Sequence, residues 1–412
     1  MACIDRVILV VLDSVGVGAA ADAARFGDEA AHTLRHVAEW CRDHQPPFAL
    51  PNLERWGLGN IAAVPGCGAV AAAQAATARL QELSPGKDTT TGHWEMAGHV
   101  LQHEWPLFPQ GFSTELMERW CRDNDLPGWL CNRPASGTAV LDEFGDEHRA
   151  SGKPIVYTSG DSVFQVACSE ETFGLERLYA ICRSARALLD PLGVGRVIAR
   201  PFIGTGTGSQ AGAYVRTENR RDFSMPPPAP NLLDLLVARQ HVVAGIGKIE
   251  DIFAHRSVTL VEHTGRNETS LAATVEVMAR TAGSRGLIFT NLIDFDQLHG
   301  HRRNPGSYGQ ALIDFDAFLP TLEAACGPRD LLVLTADHGN DPTHPGTDHT
   351  REDVPLLFWS PSAAFKAQDF GTVPGFTSIA RLTLDSLGLD DALVQLEDAA
   401  RSPALAAASG LA

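Results

Sequence analysis

Four strand-length apolar runs recur along the 412-residue chain, and they limit its fold more than any other feature of the sequence. They are Val7–Leu12, Gly286–Ile293, Leu331–Thr335 and Val354–Trp359. Runs with apolar residues on both faces are typical of strands buried on both sides of a sheet. Helical patterns lie between the runs, at Asn231–Gln240, Thr269–Thr281 and Gly309–Ala325. We expect Pro320 to bend or end the last of these helices. The alternation predicts an α/β fold with a doubly wound sheet.

The region from about residue 101 to residue 224 has a different pattern, with short elements of mixed type. Helices are predicted near Ser113–Arg122 and Leu175–Leu189, and strands at Ile155–Thr158 and Arg196–Arg200. A glycine-rich stretch at 204–212 and the Met-Pro-Pro-Pro run at 225–228 indicate a mobile loop and a hinge. We therefore predict a core domain of residues 1–100 and 225–412, interrupted by an inserted α+β domain of residues 101–224.

Composition argues against several classes of protein. The net charge of −17 disfavours nonspecific binding to nucleic acid or to an anionic membrane. The eight cysteines are scattered singly, which predicts reduced thiols and disfavours a zinc knuckle. The apolar run Val7–Leu12 is too short for a signal peptide, and no window has the length of a membrane-spanning helix. We expect a cytoplasmic protein with no nucleic-acid or membrane partner.

Carboxylates and imidazoles follow the predicted strands at close spacing. They are Asp13 after the first run, Asp296 and His301 after the second, Asp337 and His338 after the third, and His349 just beyond. A lone Asp at a strand end is usually a cap or a turn residue. Taken together, however, these six side chains should face one crevice, because ligands bind at the carboxyl ends of such strands. Mixed shells of this kind suit Mn, Zn or Fe, and ions paired about 3.5–4 Å apart clamp a phosphoryl transfer.

A row of three threonines stands in the stretch GKDTTTGHWE, which covers residues 86–95. Threonines often make turn and cap hydrogen bonds, and Gly86-Lys87 suggests a phosphate-binding P-loop. The P-loop interpretation fails, because Gln81 occupies the position where that motif requires glycine. A hydroxyl becomes a nucleophile when a base or a metal activates it. Since no Ser-His-Asp arrangement neighbours the row, activation by a metal is favoured.

The chain resembles the phosphopentomutase family of the alkaline phosphatase superfamily along nearly its whole length. The matching stretches are VVLDSVGVG, GKDTTTGHWE, VYTSGDSV, GRVIARPF, NLIDFDQLHGHRR and TADHGNDPTHPGTDHTRE. The resemblance implies an alkaline-phosphatase-like core, with the inserted region as its cap domain. It also implies Thr89 as the phosphorylated catalytic residue and two Mn²⁺ ions. One ion falls on Asp13, Asp337 and His338, and the other on Asp296, His301 and His349.

The resemblance further implies pentose phosphate substrates and a sugar bisphosphate as activator. The phosphosugar contacts carried over from the family are Ser159, Asp161, Val163, Arg196, Ile198, Arg216 and Lys248. The implied activity is the interconversion of ribose 1-phosphate and ribose 5-phosphate, and of the deoxyribose equivalents.

Two other functions remain open. One is a phosphatase or phosphodiesterase of the same superfamily, and the other is a noncatalytic phosphosugar-binding protein. Basic residues in the inserted region favour the mutase, because a phosphatase need not hold a second phosphate. A binding protein would have no use for six metal ligands and a central hydroxyl.

Overall fold

The computed structural model describes residues 4–44, 47–159, 162–204, 214–362 and 365–401. Its strands are β1 (Arg6–Leu12), β2 (Ala76–Gln81), β3 (Leu130–Pro134), β4 (Ile155–Thr158), β5 (Val163–Ser169), β6 (Arg196–Ile203), β7 (Val215–Arg216), β8 (Arg221–Ser224), β9 (Val242–Ile246), β10 (Leu260–Glu262), β11 (Gly286–Leu292), β12 (Asp330–Thr335), β13 (Val354–Trp359) and β14 (Asp369–Pro374).

The helices lie between and beyond these strands. They are α1 (Thr33–His44), α2 (Pro51–Trp56), α3 (Leu58–Ile61), α4 (Thr89–Met96), α5 (Thr114–Asp123), α6 (Ala139–Ser151), α7 (Leu175–Leu189), α8 (Leu232–Ala238), α9 (Ile249–Ile252), α10 (Asn267–Arg280), α11 (Pro305–Ala325), α12 (Thr377–Ser386) and α13 (Asp390–Arg401). A π-helical turn covers Phe295–Gly300. Within the described part of the chain, no helix is both long enough and apolar enough to cross a membrane.

The described residues divide into two compact units. The first comprises residues 4–103 and 227–401, and the second comprises the described part of residues 104–226. The predicted role of the second unit as a cap stays a prediction.

The first unit contains an eight-stranded sheet among its described residues, in the order β10-β9-β11-β1-β12-β13-β2-β14. Strands β10, β9, β11, β1 and β12 are parallel to their neighbours. Every residue of β1, β11 and β12 is buried, so both faces of the sheet centre are covered. This architecture confirms the α/β class and the doubly wound core predicted from the apolar runs.

Strand β13 corresponds to the fourth apolar run, but it pairs with β12 in the antiparallel direction. Its beginning at Val354, not its end at Trp359, therefore lies at the same sheet edge as the ends of β1, β11 and β12. That direction brings the segment just before β13, which carries His349, to the edge where Asp13 and Asp337 lie.

The second unit is built on a six-stranded mixed sheet among its described residues. The order is β3-β4-β5-β6-β7, with β8 paired to β6. One apolar cluster around Trp120 and Phe164 packs α5 and α7 against this sheet. A second cluster around Tyr157 and Phe202 includes Val140 and Leu141 of α6. The observed β4 and α7 have the bounds predicted from the sequence.

Helix α11 runs through Pro320, so of the two expected effects of this residue, a bend or an end of the helix, the end is wrong. Proline has no N–H to donate to the carbonyl four residues earlier, which belongs to Asp316. The side chain of Asn52 supplies the missing bond, since its Nδ2 donates to the Asp316 carbonyl at 2.9 Å. A contact from a distant part of the chain thus satisfies the carbonyl that Pro320 leaves without its usual partner.

Candidate metal centre and nucleophile

The six predicted metal ligands all lie in the first unit, at one edge of its sheet. Asp13 follows β1, the pair Asp337-His338 follows β12, and the π-helical turn with Asp296 follows β11. These three strands are neighbours, so their carboxyl ends deliver the side chains to one place. Two groups have ligand atoms that all lie within 4.8 Å of one another. They are Asp13, Asp337 and His338, and Asp296, His338 and His349.

His338 lies where the two groups meet. Its Nε2 is 3.4 Å from Asp13 Oδ1 and 3.5 Å from Asp337 Oδ2. In the other group, His349 Nε2 is 3.2 Å from Asp296 Oδ1. His301 adjoins that group, with its Nε2 3.3 Å from Asp296 Oδ2 and 3.1 Å from His349 Nε2. The structure therefore brings all six predicted residues together.

The three histidines share one orientation. The Nδ1 atoms of His301, His338 and His349 face the carbonyls of Thr347, Gly339 and Lys87 at 2.8, 3.0 and 2.8 Å. A carbonyl only accepts, so each Nδ1 carries a proton, and in the neutral ring each Nε2 then has its lone pair on the side of the carboxylates. This is how metal-binding histidines are held in proteins.

The carboxylates of this centre are buried, and for Asp13 the surrounding positive charge does not compensate the burial. Asp13 and Asp337 are fully buried, and among the described residues Asp13 Oδ1 and Asp337 Oδ2 have no hydrogen-bond partner. Burial and the neighbouring Asp337 raise the pKa of Asp13 to about 8. Burial would also raise the pKa of Asp296, but the facing His349 and His301, in their protonated forms, hold it well below its usual range. Such a cluster fits a divalent cation, which supplies the missing charge.

Several further polar residues orient this group, and the sequence analysis did not single them out. Asn291 Nδ2 donates to Asp13 Oδ2 at 3.0 Å, and the Ser14 N–H donates to Asp337 Oδ1 at 3.0 Å. The buried His93 has its Nδ1 2.8 Å from the Thr89 carbonyl and 3.3 Å from Asp337 Oδ2. His93 lies in the GKDTTTGHWE stretch, and its closeness in sequence to the threonine row could have indicated that it contacts Thr89.

The threonine row begins helix α4, and Asp88 is the N-cap. One Asp88 oxygen accepts from the N–H groups of Thr90 and Thr91 at 3.1 Å each. The other accepts from the Thr91 hydroxyl. Thr89 Oγ1, in contrast, lies 3.2 Å from His338 Nε2. Thr89 is thus the threonine whose hydroxyl contacts a predicted metal ligand.

Two cations hold the loop that precedes Thr89. The buried Arg351 donates to the carbonyls of Ser84 and Gly86, and it pairs with the carboxylate of Glu82. Lys87 Nζ lies 3.0 Å from Asp28 Oδ2. Because the Lys87 carbonyl also faces His349 Nδ1, the loop and a candidate metal ligand support each other.

The predicted phosphosugar contacts lie in both units. Lys248 is the N-cap of α9 in the first unit, and its charge acts to lower the pKa of Asp13, although burial and Asp337 outweigh it. The others belong to the second unit, where Val163 of β5 pairs in register with Arg196 of β6. Ile198 follows on β6, and Arg216 Nη2 of β7 donates to the Tyr157 hydroxyl at 3.3 Å. Ser159 directly follows β4, whereas Asp161 lies outside the described residues.

Known proteins similar to this chain were found by sequence and by structure. Residues 5–391 match the family model of the metalloenzyme superfamily. A phosphopentomutase of Anaeromyxobacter dehalogenans is 47% identical and covers 93% of this chain and 95% of its own. That of Caldanaerobacter subterraneus is 49% identical and covers 87% of this chain and 88% of its own. Among solved structures, a Leishmania mexicana phosphoglycerate mutase has 11% identity and a TM-score of 0.45, covering 93% of this chain and 95% of its own.

Proposed function

The chain belongs to the phosphopentomutase family of the metalloenzyme superfamily, and we propose that it interconverts ribose 1-phosphate and ribose 5-phosphate, and the 2-deoxyribose equivalents. It is an isomerase that moves a phosphoryl group between two positions of one sugar. We place it in the cytoplasm, with small phosphosugars as its partners.

The observation that carries this proposal is the position of Thr89. Its hydroxyl oxygen is 3.2 Å from His338 Nε2, the atom at which the two ligand groups meet. Thr89 is also the first residue of α4, where the helix dipole favours a negative group. A phosphate carried on Thr89 would thus be stabilised by this chain's own backbone.

We assign two divalent ions, Mn²⁺ by family, to Asp13, Asp337 and His338, and to Asp296, His301 and His349. When bound, they neutralise the charge of the transferring phosphoryl group and of the threonine oxygen. The buried oxygens of Asp13 and Asp337 that accept no hydrogen bond from the described residues support this assignment. The fixed Nε2 orientation of the three histidines supports it as well.

Transfer begins from the enzyme phosphorylated on Thr89. The bond between phosphorus and Thr89 Oγ1 breaks, a bond to the free hydroxyl oxygen of the pentose phosphate forms, and the proton of that hydroxyl ends on Thr89 Oγ1. The product is a pentose bisphosphate, which also serves as activator by phosphorylating an unmodified Thr89. When the bisphosphate presents its other phosphate to Thr89, the reverse transfer completes the isomerisation.

The phosphate that is not reacting requires a separate binding site with positively charged side chains. Following the family resemblance, we assign it to Arg196, Arg216 and Lys248, and we assign further phosphosugar contacts to Ser159, Asp161, Val163 and Ile198. A guanidinium can bind a phosphate through two parallel N–H bonds, which fixes its orientation. The pairing of Val163 with Arg196 on adjacent strands supports a shared role for these residues.

The test is to incubate the purified protein with Mn²⁺, ribose 5-phosphate and a trace of pentose bisphosphate. Formation of ribose 1-phosphate without free phosphate is the expected result. Release of inorganic phosphate as the main product would identify a phosphatase of the same superfamily instead. Binding without any turnover would identify a phosphosugar-binding protein.

A further inference from the structure

Arg303 is joined to the loop before β13 by a set of hydrogen bonds that the proposed chemistry does not use. Its Nη1 donates to the Asp341 carbonyl at 2.7 Å, and its Nη2 donates to the Asp348 carbonyl at 2.8 Å. Its Nε donates to the Gly346 carbonyl at 2.5 Å. One guanidinium therefore holds three points of the segment that ends at His349. The same segment supplies the Thr347 carbonyl that faces His301 Nδ1.

The same guanidinium also acts on Asp296 through one intermediate. Arg303 Nη1 donates to Asn340 Oδ1 at 2.8 Å, and Asn340 Nδ2 donates to Asp296 Oδ1 at 2.7 Å. Because a guanidinium only donates, it fixes which end of the Asn340 amide is the oxygen. The NH₂ end must then face Asp296. Arg303 thus determines the orientation of the group that holds this carboxylate.

The site is built to keep Asn340 in this position. Its side chain is fully buried, and its own N–H donates to the Thr33 hydroxyl at 3.1 Å. Gly300, at the end of the π-helical turn, packs against it, and a Cβ at Gly300 would come within 2.7 Å of the amide. A side chain at residue 300 would therefore displace the amide.

We propose that Arg303 is a positioning residue for one of the two metal sites, the one formed by Asp296, His301 and His349. It orients all three ligands, through Asn340, through the Thr347 carbonyl and through the loop that carries His349. None of its hydrogen bonds among the described residues goes to Asp13, Asp337 or the groups that hold them. Loss of Arg303 should weaken one ion selectively. The inference rests on the proposed two-metal function.

The neighbouring Arg302 provides a matched control. It has the same side chain one position earlier, it is exposed, and it precedes Arg303 in the turn after the π-helical segment. If the effect came from loss of charge near the site, metal binding would weaken in both Arg302→Ala and Arg303→Ala. If it comes from loss of the four directed hydrogen bonds, metal binding should weaken only in Arg303→Ala.

The experiment is a calorimetric titration of metal-free protein with Mn²⁺, without substrate, for the wild type, Arg303→Ala, Arg303→Lys and Arg302→Ala. We expect one of two binding events in Arg303→Ala to weaken about 10- to 100-fold, as when other groups that orient metal ligands are lost. The second event should stay unchanged. Arg303→Lys should weaken the same binding event less, because the lysine ammonium can replace some of the hydrogen bonds that the guanidinium donates. Arg302→Ala should match the wild type.

Equal weakening of both events in Arg303→Ala, or no change in either, would overturn the proposal. If Arg303→Ala does not fold without metal, Arg303→Lys decides the outcome by the same criterion. The titration needs no turnover, so it is independent of the mutase assay. A wild type that binds two ions but forms no ribose 1-phosphate would refute the proposed function and leave the positioning role intact.

Discussion

The nucleophile and the metal ligands depend on single atoms whose chemistry is fixed by their immediate neighbours. Each candidate histidine uses Nδ1 for a backbone carbonyl, and each therefore presents Nε2 to the carboxylates. Asp13 and Asp337 keep one buried oxygen each without a partner among the described residues. Both features would be unfavourable in a site without ions, because buried charge needs compensation. At this scale, the site is arranged for cations.

Replacing Thr89 tests the nucleophile. Thr89→Ala should abolish phosphoryl transfer while the protein remains folded, because the change removes one hydroxyl hydrogen bond worth about 0.5–1.5 kcal/mol. Thr90→Ala is the matched control and should retain transfer. Mass spectrometry of the active enzyme should find the phosphate on Thr89. A phosphate on Thr90 or Thr91 would show that the assignment is wrong by one or two positions.

Replacing Asp296 tests the metal assignment. Asp296→Ala should remove one ion and lower the rate by several orders of magnitude, since half of the two-ion clamp is lost. Elemental analysis of the purified variant gives the ion count per chain. His103→Ala is the control, because His103 is exposed and should affect neither the count nor the rate. An undiminished metal content in Asp296→Ala would contradict the assignment.

The metal-ligand candidates could be predicted from the sequence because three of the four segments follow apolar runs that form adjacent parallel strands. Their supporting residues could not be predicted in this way. Asn291 lies inside β11, and Asn340 follows the Asp337-His338 pair, so neither has a local pattern that indicates its partner. Their roles depend on contacts such as that from Arg303 to Asn340, which the fold creates across 37 residues of sequence.

At the scale of elements, helix α4 connects the threonine row to the sheet edge. The sequence analysis singled out the threonine row within residues 86–95 but did not predict a helix there, because the segment has no apolar periodicity. Its beginning is determined by the Asp88 cap, and it is packed in place through buried Trp94 and Met96. The antiparallel direction of β13 could not be predicted either, because an apolar run does not indicate which way its strand points in the sheet.

Removing the cap tests how α4 positions Thr89. Asp88→Ala should lower the free energy of unfolding by about 0.5–2 kcal/mol, because the N–H groups of Thr90 and Thr91 lose their acceptor. It should also slow transfer, because the first turn that carries Thr89 loosens. Urea denaturation gives the stability, and the coupled mutase assay gives the rate.

Asp88→Asn is the matched control for this prediction. Asparagine is about as good an N-cap as aspartate, so this variant should recover most of the lost stability. If Asp88→Asn is as unstable as Asp88→Ala, the effect comes from the lost negative charge and not from the cap.

At the scale of the whole molecule, the chain distributes its predicted chemistry over two compact units. The metal centre and Thr89 lie in the first, and most of the predicted phosphosugar contacts lie in the second. A mutase must hold a bisphosphate and exclude water during transfer, whereas a phosphatase must admit water. The predicted contacts in the second unit are therefore what should distinguish this enzyme from a hydrolase with the same metals.

Arg196 offers the sharpest test of that distinction. Arg196→Ala should strongly reduce the use of ribose 5-phosphate, because a charge-assisted contact to the distal phosphate is lost. It should spare the slow hydrolysis of a small aryl phosphate, which has no second phosphate to hold. Parallel kcat/KM measurements on both substrates give the comparison. Equal losses on both would mean that Arg196 supports the fold of its own unit, for example through the nearby Asp222, and the mutase would then need another group to hold the distal phosphate.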